Sequence, residues 1–301
     1  MRGRTFRRLP LMMRVLLPRT LDEALEMKAA TPDAVAIAGG TDVMVLLNFD
    51  RFRPPAFIDV SRVPELLLWR AEGNEIILGA GVTYSRIIRE LSAFSPFVQA
   101  ARTVGSPQIR NRGTVGGNLG TASPAGDALP VLAVYDADII VGRAGGATRR
   151  LRWSEFLTGP KRTALAGDEL ILGARWRRVR GPGSFSKIGT RNAMVIAIAS
   201  LCLVLDEEGR SVRVALGSVG PTIIRAREAE AFASAAMADD VWDDRRATLP
   251  PAAIAEFAER TAAAARPIDD VRGTAAFRRH GCRVLAARAL TWALADRRLA
   301  A

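Results

Sequence analysis

The sequence predicts an α+β protein of two domains joined near residue 180. Three observations lead there. Near the N-terminus a short apolar segment runs straight into paired glycines and then into a helical turn, a strand–loop–helix pattern. Arg180-Gly181-Pro182-Gly183 has the composition of a linker. Beyond it, residues 194–205 form a long apolar segment that turns at Glu207-Glu208-Gly209 and returns with period-two alternation over 211–218. The remainder of the chain is Ala-rich with helical spacing.

The elements follow in order. Thr20-Leu21-Asp22-Glu23 reads as a capping box, since Thr can accept from an early helical N–H while Glu reaches back. The helix runs to about residue 30 and stops at Thr31-Pro32-Asp33. Residues 34–38 form a strand that enters Gly39-Gly40, with Thr41-Asp42 as a cap and an apolar helical turn over 43–47. Residues 57–60 add a strand, so the first 60 residues read as a β-α-β unit. Residues 75–78 are a strand, Thr83 caps a helix to about 91, and a second helix covers 96–104. Residues 105–126 hold six glycines and two prolines, and predict a long irregular loop with a functional reason to exist. A helix is predicted over 127–136. Strands at 138–141 and 148–152 pair across Gly145-Gly146; a short helix covers 153–157 and a strand 169–176. After the hairpin come helices at about 225–237, 252–265 and 274–295.

At 301 residues and 49% hydrophobic, the chain can bury a full core without disulfide or metal staples. Its net charge is +12, but arginines are spread along the whole length. The one dense cluster is Arg2, Arg4, Arg7 and Arg8. No basic stripe is interleaved with aromatics, so nucleic acid is not the expected partner, and a basic nucleic-acid-binding protein is the non-enzymatic alternative. Cys202 and Cys282 lack metal-ligand spacing and His280 is the only histidine. An iron–sulfur cluster needs about four ligands, so this chain cannot hold one alone, and zinc catalysis is not expected. Sparse free cysteines fit a reducing cytoplasm. The apolar stretch near Met12 is broken by Arg14 and Pro18, which argues against export, and the true start is Met1, Met12 or Met13. No run of about 18 apolar residues predicts a membrane span.

Two glycine-rich loops carry the chemistry. Ala38-Gly39-Gly40-Thr41-Asp42 follows a strand and precedes a helical turn, where backbone N–H groups and a helix N-terminus can face an anion. Alone, such a Gly-Gly-Thr-Asp segment is more often a plain turn with a cap. Thr114-Val115-Gly116-Gly117-Asn118 has the same character, with Thr121, Ser123 and Asp127 following as potential hydroxyl binders; alone it reads as a surface loop. Two such loops favour a diphosphate gripped from two sides. Neither is a G-x-G-x-x-G fingerprint, and no G-x-x-x-x-G-K-[ST] exists.

Over residues 13–295 the sequence resembles the FAD-binding (medium) subunits of the molybdenum hydroxylases, the carbon monoxide dehydrogenase and xanthine dehydrogenase families. The likeness rests on both glycine loops, the second within Ile109-Arg110-Asn111-Arg112-Gly113-Thr114-Val115-Gly116-Gly117-Asn118. It extends to Ser123-Pro124-Ala125-Gly126-Asp127, Asp168-Glu169-Leu170-Ile171, Phe185-Ser186-Lys187-Ile188-Gly189 and Arg272-Gly273-Thr274-Ala275-Ala276-Phe277-Arg278-Arg279. Val115 stands where the family often has Ile. The resemblance implies an FAD-binding domain of PCMH type over 13–180, with subdomains at about 13–65 and 66–180. It implies a C-terminal flavoprotein domain over 184–295 with a three-stranded antiparallel sheet and helices. It implies a noncovalent FAD, and an oxidoreductase subunit passing electrons from [2Fe–2S] clusters of a small partner through FAD to an external acceptor. A large partner would carry molybdopterin and the substrate site, in a dimer of heterotrimers. By position, backbone N–H groups of Ala38, Gly39, Gly40, Thr41, Asp42 and of Thr114, Val115, Gly116, Gly117, Asn118 would hold the pyrophosphate. Asp127 would accept from FAD hydroxyls, Val104 and Ile171 would pack on its apolar parts, and Lys187 would lie near the flavin. A self-contained flavin oxidase would need its own acid–base group near the ring, and the sequence offers no obvious one. The acceptor (NAD⁺, quinone, oxygen or a carrier protein) is not encoded in these motifs.

Overall fold

The computed structural model describes residues 13–300, apart from the side chain at 239. The N-terminal arginine cluster and the possible starts at Met1 and Met12 lie outside the described residues.

The chain opens with a three-stranded parallel sheet in the order β1 (Arg14–Leu16), β3 (Ala56–Asp59), β2 (Val35–Ile37). Helix α1 (Leu21–Ala30) crosses from β1 to β2. Thr20 caps it by accepting from the Glu23 amide at 3.2 Å, and the Glu23 carboxylate accepts from the Arg19 amide at 2.6 Å. Lys28 is buried in the last turn, where its ammonium donates to the carbonyls of Pro32 (2.7 Å) and Ala34 (2.6 Å), closing the turn into β2. A short helix, α2 (Val43–Asn48), leaves the first glycine loop. Ala24, Leu25, Ile58, Val63 and Leu66 make a small core that also takes Leu170 from later in the chain.

The second layer is an antiparallel sheet in the order β4 (Trp69–Glu72), β5 (Glu75–Gly79), β10 (Leu170–Arg177), β6 (Asp138–Gly142), β7 (Thr148–Arg152). Helices α3 (Tyr84–Glu90), α4 (Ser95–Thr103) and α7 (Ala128–Val134) cover it. The expected irregular loop at 105–126 contains two short helices, α5 (Pro107–Arg112) and α6 (Val115–Thr121). Caps outweigh glycine content there. Ser106 accepts from the Ile109 amide with Pro107 in the first turn, and Thr114 accepts from the Gly117 amide. A short helix, α8 (Trp153–Phe156), and the hairpin β8 (Leu157–Gly159) and β9 (Arg162–Thr163) fill the connection to β10.

The C-terminal sheet has four strands, not the three implied by the resemblance. Its order is β11 (Gly183–Ile188), β12 (Ala199–Asp206), β13 (Ser211–Gly217), β14 (Ile224–Arg225). The extra strand is two residues long, held to Ala215 and Leu216 just before the next helix. The predicted strand at 194–205 begins only at Ala199, and residues 189–198 form an irregular connection from β11. All eight residues of β12 are buried, because both faces of the sheet are covered. Cys202 and Val204 face the core under α4 and α7, while Leu201, Leu203 and Leu205 face α9 (Arg227–Asp243), α10 (Pro251–Ala264) and α11 (Ala275–Leu299).

Candidate cofactor site

The two glycine loops meet. A Cβ on Gly39 would lie 2.0 Å from the carbonyl oxygen of Arg112, so only glycine lets the first loop rest on the backbone leading into the second. Gly40 has φ +74°, a left-handed turn that aims the chain into α2. Two side-chain bonds tie the loops together. The Arg112 guanidinium donates to the Ala38 carbonyl at 3.3 Å, and the Thr121 hydroxyl to the Asp42 carboxylate at 2.9 Å.

The loops differ in what they leave available. Among the described residues, the amides of Gly39, Gly40, Thr41 and Asp42 donate to no group of the chain. In the second loop, the Val115 amide donates to the Val82 carbonyl (3.2 Å) and that of Gly116 to Ala80 (2.8 Å). Gly117 donates to the Thr114 hydroxyl (3.0 Å) and Asn118 to the Thr114 carbonyl (3.1 Å). The first two N–H groups dock α6 on the segment just after β5, and the other two close the first turn of α6 on Thr114, whereas the sequence reading has them facing a ligand. Gly116 is required for that docking, since its Cβ would lie 2.6 Å from that of Ala80.

Asp127 precedes α7 but makes no capping bond. It is buried, and its Oδ2 accepts from the Lys187 ammonium at 2.6 Å and from the Thr103 hydroxyl at 3.2 Å. Burial pushes its carboxyl above the ordinary range, and the adjacent Lys187 charge opposes that shift. Lys187, on β11, also donates to the carbonyls of Thr103 (2.9 Å) and Val195 (3.1 Å), so all three ammonium hydrogens have acceptors. The pair thus joins α4, α7, β11 and the connection before β12. Val104 ends α4, partly buried against the main core, with its carbonyl accepting from Arg110 at 3.1 Å. Ile171 is also partly buried; it sits at a bulge in β10 and its Cδ1 would lie 3.5 Å from a Cβ on Gly120 of α6.

Three buried side-chain atoms around these loops have no partner among the described residues: Tyr84 Oη, Asn118 Oδ1 and Asp127 Oδ1. Gly126 joins the last two, because a Cβ there would meet the Asn118 amide at 2.7 Å. Unpaired buried polar atoms are uncommon, and several at one place point to a polar ligand. Open amides on one loop, two orphaned acceptors and one orphaned donor suit a cofactor with a diphosphate and hydroxyls, which is the donor set FAD requires. Sequence reading missed Tyr84, Thr103 and the role of Arg112, and it named Thr121 as a hydroxyl binder but not as a tie to Asp42.

The two cysteines lie away from these loops in the C-terminal part. Cys202 and Cys282 are free and buried; burial pushes both thiols up, that of Cys282 to about 12. Among the described residues no group of three or more His, Cys, Asp or Glu is placed to hold a metal, and no helix is long and apolar enough to cross a membrane.

Together the fold and these loops define a site shaped for a cofactor that carries a diphosphate and hydroxyls. Residues 11–175 match the family described as FAD binding domain in molybdopterin dehydrogenase, and residues 184–293 match the CO dehydrogenase flavoprotein C-terminal domain. The nicotinate dehydrogenase FAD-subunit of Eubacterium barkeri is 34% identical over 205 residues, 64% of this chain and 69% of that protein. The 6-hydroxypseudooxynicotine dehydrogenase complex subunit alpha of Paenarthrobacter nicotinovorans is 31% identical over 270 residues, 87% of each chain. A carbon monoxide dehydrogenase chain from Hydrogenophaga pseudoflava superposes with a TM-score of 0.83 at 25% identity, covering 96% of this chain and 99% of that one. A chain of quinoline 2-oxidoreductase from Pseudomonas putida 86 shares the fold, with a TM-score of 0.85 at 23% identity over 95% of this chain and 98% of that one. The chain belongs to the FAD-binding medium subunits of the molybdenum hydroxylase family, and is an oxidoreductase subunit whose cofactor is FAD.

Proposed function

We propose that this chain is the electron-transfer subunit of a molybdenum-containing hydroxylase or dehydrogenase. Bound FAD would supply the relay between [2Fe–2S] clusters in a small partner subunit and an external acceptor. The observation that carries the reading is the junction of the two glycine loops, with its open amides beside orphaned buried polar atoms. Amides of Gly39, Gly40, Thr41 and Asp42 point to the diphosphate as their acceptor, with Ala38 continuing that loop. Thr114, Val115, Gly116 and Gly117 contribute shape, and Asn118 and Asp127 offer acceptors to cofactor hydroxyls. Val104 and Ile171 supply apolar contact. Lys187 holds Asp127 and the segment at Val195 in place beside the flavin. The cofactor is held noncovalently: residues 13–180 contain no histidine or cysteine, and both thiols are buried.

The substrate belongs to a large molybdopterin subunit. The complex is a dimer of heterotrimers in the cytoplasm. Relatives whose names are FAD-subunit and complex subunit support the partner assignment. Co-expression with the neighbouring reading frames tests it. A copurifying small iron–sulfur chain and large molybdopterin chain are expected, and substrate turnover by this chain alone overturns the reading.

A further inference from the structure

Tyr84 is the first residue of α3, and its position is held by main chain on both sides. Its amide donates to the Gly113 carbonyl at 3.1 Å, and the preceding Thr83 bridges to Thr114. The ring packs beneath the start of the second glycine loop, where a Cβ on Gly113 would lie 3.4 Å from the ring. Gly113 in turn follows Arg112, the residue on which Gly39 rests. Tyr84 is thus directly under the junction of the two loops. Its side chain is 3% exposed, and its hydroxyl has no partner among the described residues. Tyrosine hydroxyls that are buried normally find a partner.

We infer that the Tyr84 hydroxyl is an additional cofactor ligand, donating a hydrogen bond to the diphosphate held at the loop junction. The inference rests on the FAD reading above. The side chain keeps its donor hydrogen. Burial raises its pKa, and the nearby carboxylates of Asp127 and Asp42 raise it further, so the hydroxyl stays protonated over the working pH range. The neighbouring orphans, Asn118 Oδ1 and Asp127 Oδ1, are acceptors and remain for cofactor hydroxyls, which leaves phosphate oxygens for the donor.

The test is Tyr84→Phe in the full chain, stripped of flavin. It removes one oxygen and keeps the ring on Gly113. Binding of FAD and of ADP is measured by titration, and the flavin-free melting temperature is recorded. The inference predicts a roughly ten-fold weaker Kd for both ligands, the ordinary worth of a hydrogen bond to a charged group. It also predicts a flavin-free melting temperature equal to or above wild type, because an unpaired buried hydroxyl has been removed. Unchanged FAD affinity, a loss confined to FAD and absent for ADP, or a lower flavin-free melting temperature each overturns it. A wild-type chain that takes up no FAD overturns the FAD reading itself, which separates the two failures.

Discussion

At the scale of single residues, the site depends on where side chains are missing as much as on where they stand. Gly39 and Gly116 bring backbone to within contact of Arg112 and Ala80, and no larger residue fits either place. Gly39→Ala puts a methyl 2.0 Å from a carbonyl oxygen that belongs to backbone and cannot swing away. The first loop must then lift, and its free amides move with it. The expected result is a purified chain with an unchanged circular dichroism spectrum and at least ten-fold less bound flavin. Full flavin content in this variant would mean that the loop junction is not the cofactor site. The glycines, Asp127 and Lys187 were all legible in the sequence as residue types. Their relations were not. Lys187 finds Thr103 and Asp127 from 84 and 60 positions away, and Arg112 finds Ala38 from 74 away. Only the tertiary fold sets those pairings, so no local pattern announces that the lysine is fully engaged.

Elements were most legible where a cap or strict alternation marks them. Thr20 and Thr83 start α1 and α3 as their sequences predict, and the β12–β13 hairpin follows its turn. β1 was missed because three residues carry no periodicity, and β11 because its only large apolar residues are Phe185 and Ile188. Elements are also joined by charge. Glu169 is buried beside β10 and receives two bonds from Arg149 of β7, at 2.7 and 2.8 Å, and one from the Ala166 amide at 2.8 Å. The Arg149 guanidinium foremost, then the Ala166 amide, holds its carboxyl below the usual range. A carboxylate with a lowered folded pKa stabilises above its unfolded value, near 4.3, and loses that contribution as pH falls through the folded value. Glu169→Gln is therefore expected to lower stability at pH 7, with the gap to wild type narrowing as denaturation is repeated below about pH 4.3. A gap constant across that range would show that the pair contributes no pH dependence.

At the scale of the whole molecule, the FAD-binding part and the C-terminal part share a core. Phe185, Cys202, Val204, Ala215 and Ile223 of the C-terminal part pack into the cluster built on α4 and α7. A buried arginine reinforces the join. Arg225 donates to the Ala133 carbonyl at 2.7 Å and the Asp136 carboxylate at 2.8 Å on the α7 side, and to Glu230 at 2.9 Å on the α9 side. Arg225→Met takes the nearest cation from the buried Glu230, which keeps the Arg227 guanidinium at 3.3 Å and the Val214 amide at 2.8 Å, and is expected to cost about 2 kcal/mol in denaturant unfolding. A change under about 0.5 kcal/mol would place the clamp among contacts that matter little. Sequence composition reads 180–183 as a linker; Gly183 is the first residue of β11, and the two parts share apolar contacts that composition does not announce. That sharing depends on β12 being buried on both faces, which an unbroken apolar run permits without specifying the covering helices.

The claim on which everything else depends is that this chain holds FAD at the junction of its two glycine loops. The most direct measurement is the visible spectrum of the purified full chain, before and after FAD is added, with the cofactor identified after acid precipitation. A yellow protein releasing intact FAD in stoichiometric amount is predicted, with the colour lost in Gly39→Ala. A colourless chain that takes up no FAD would contradict the assignment at its root.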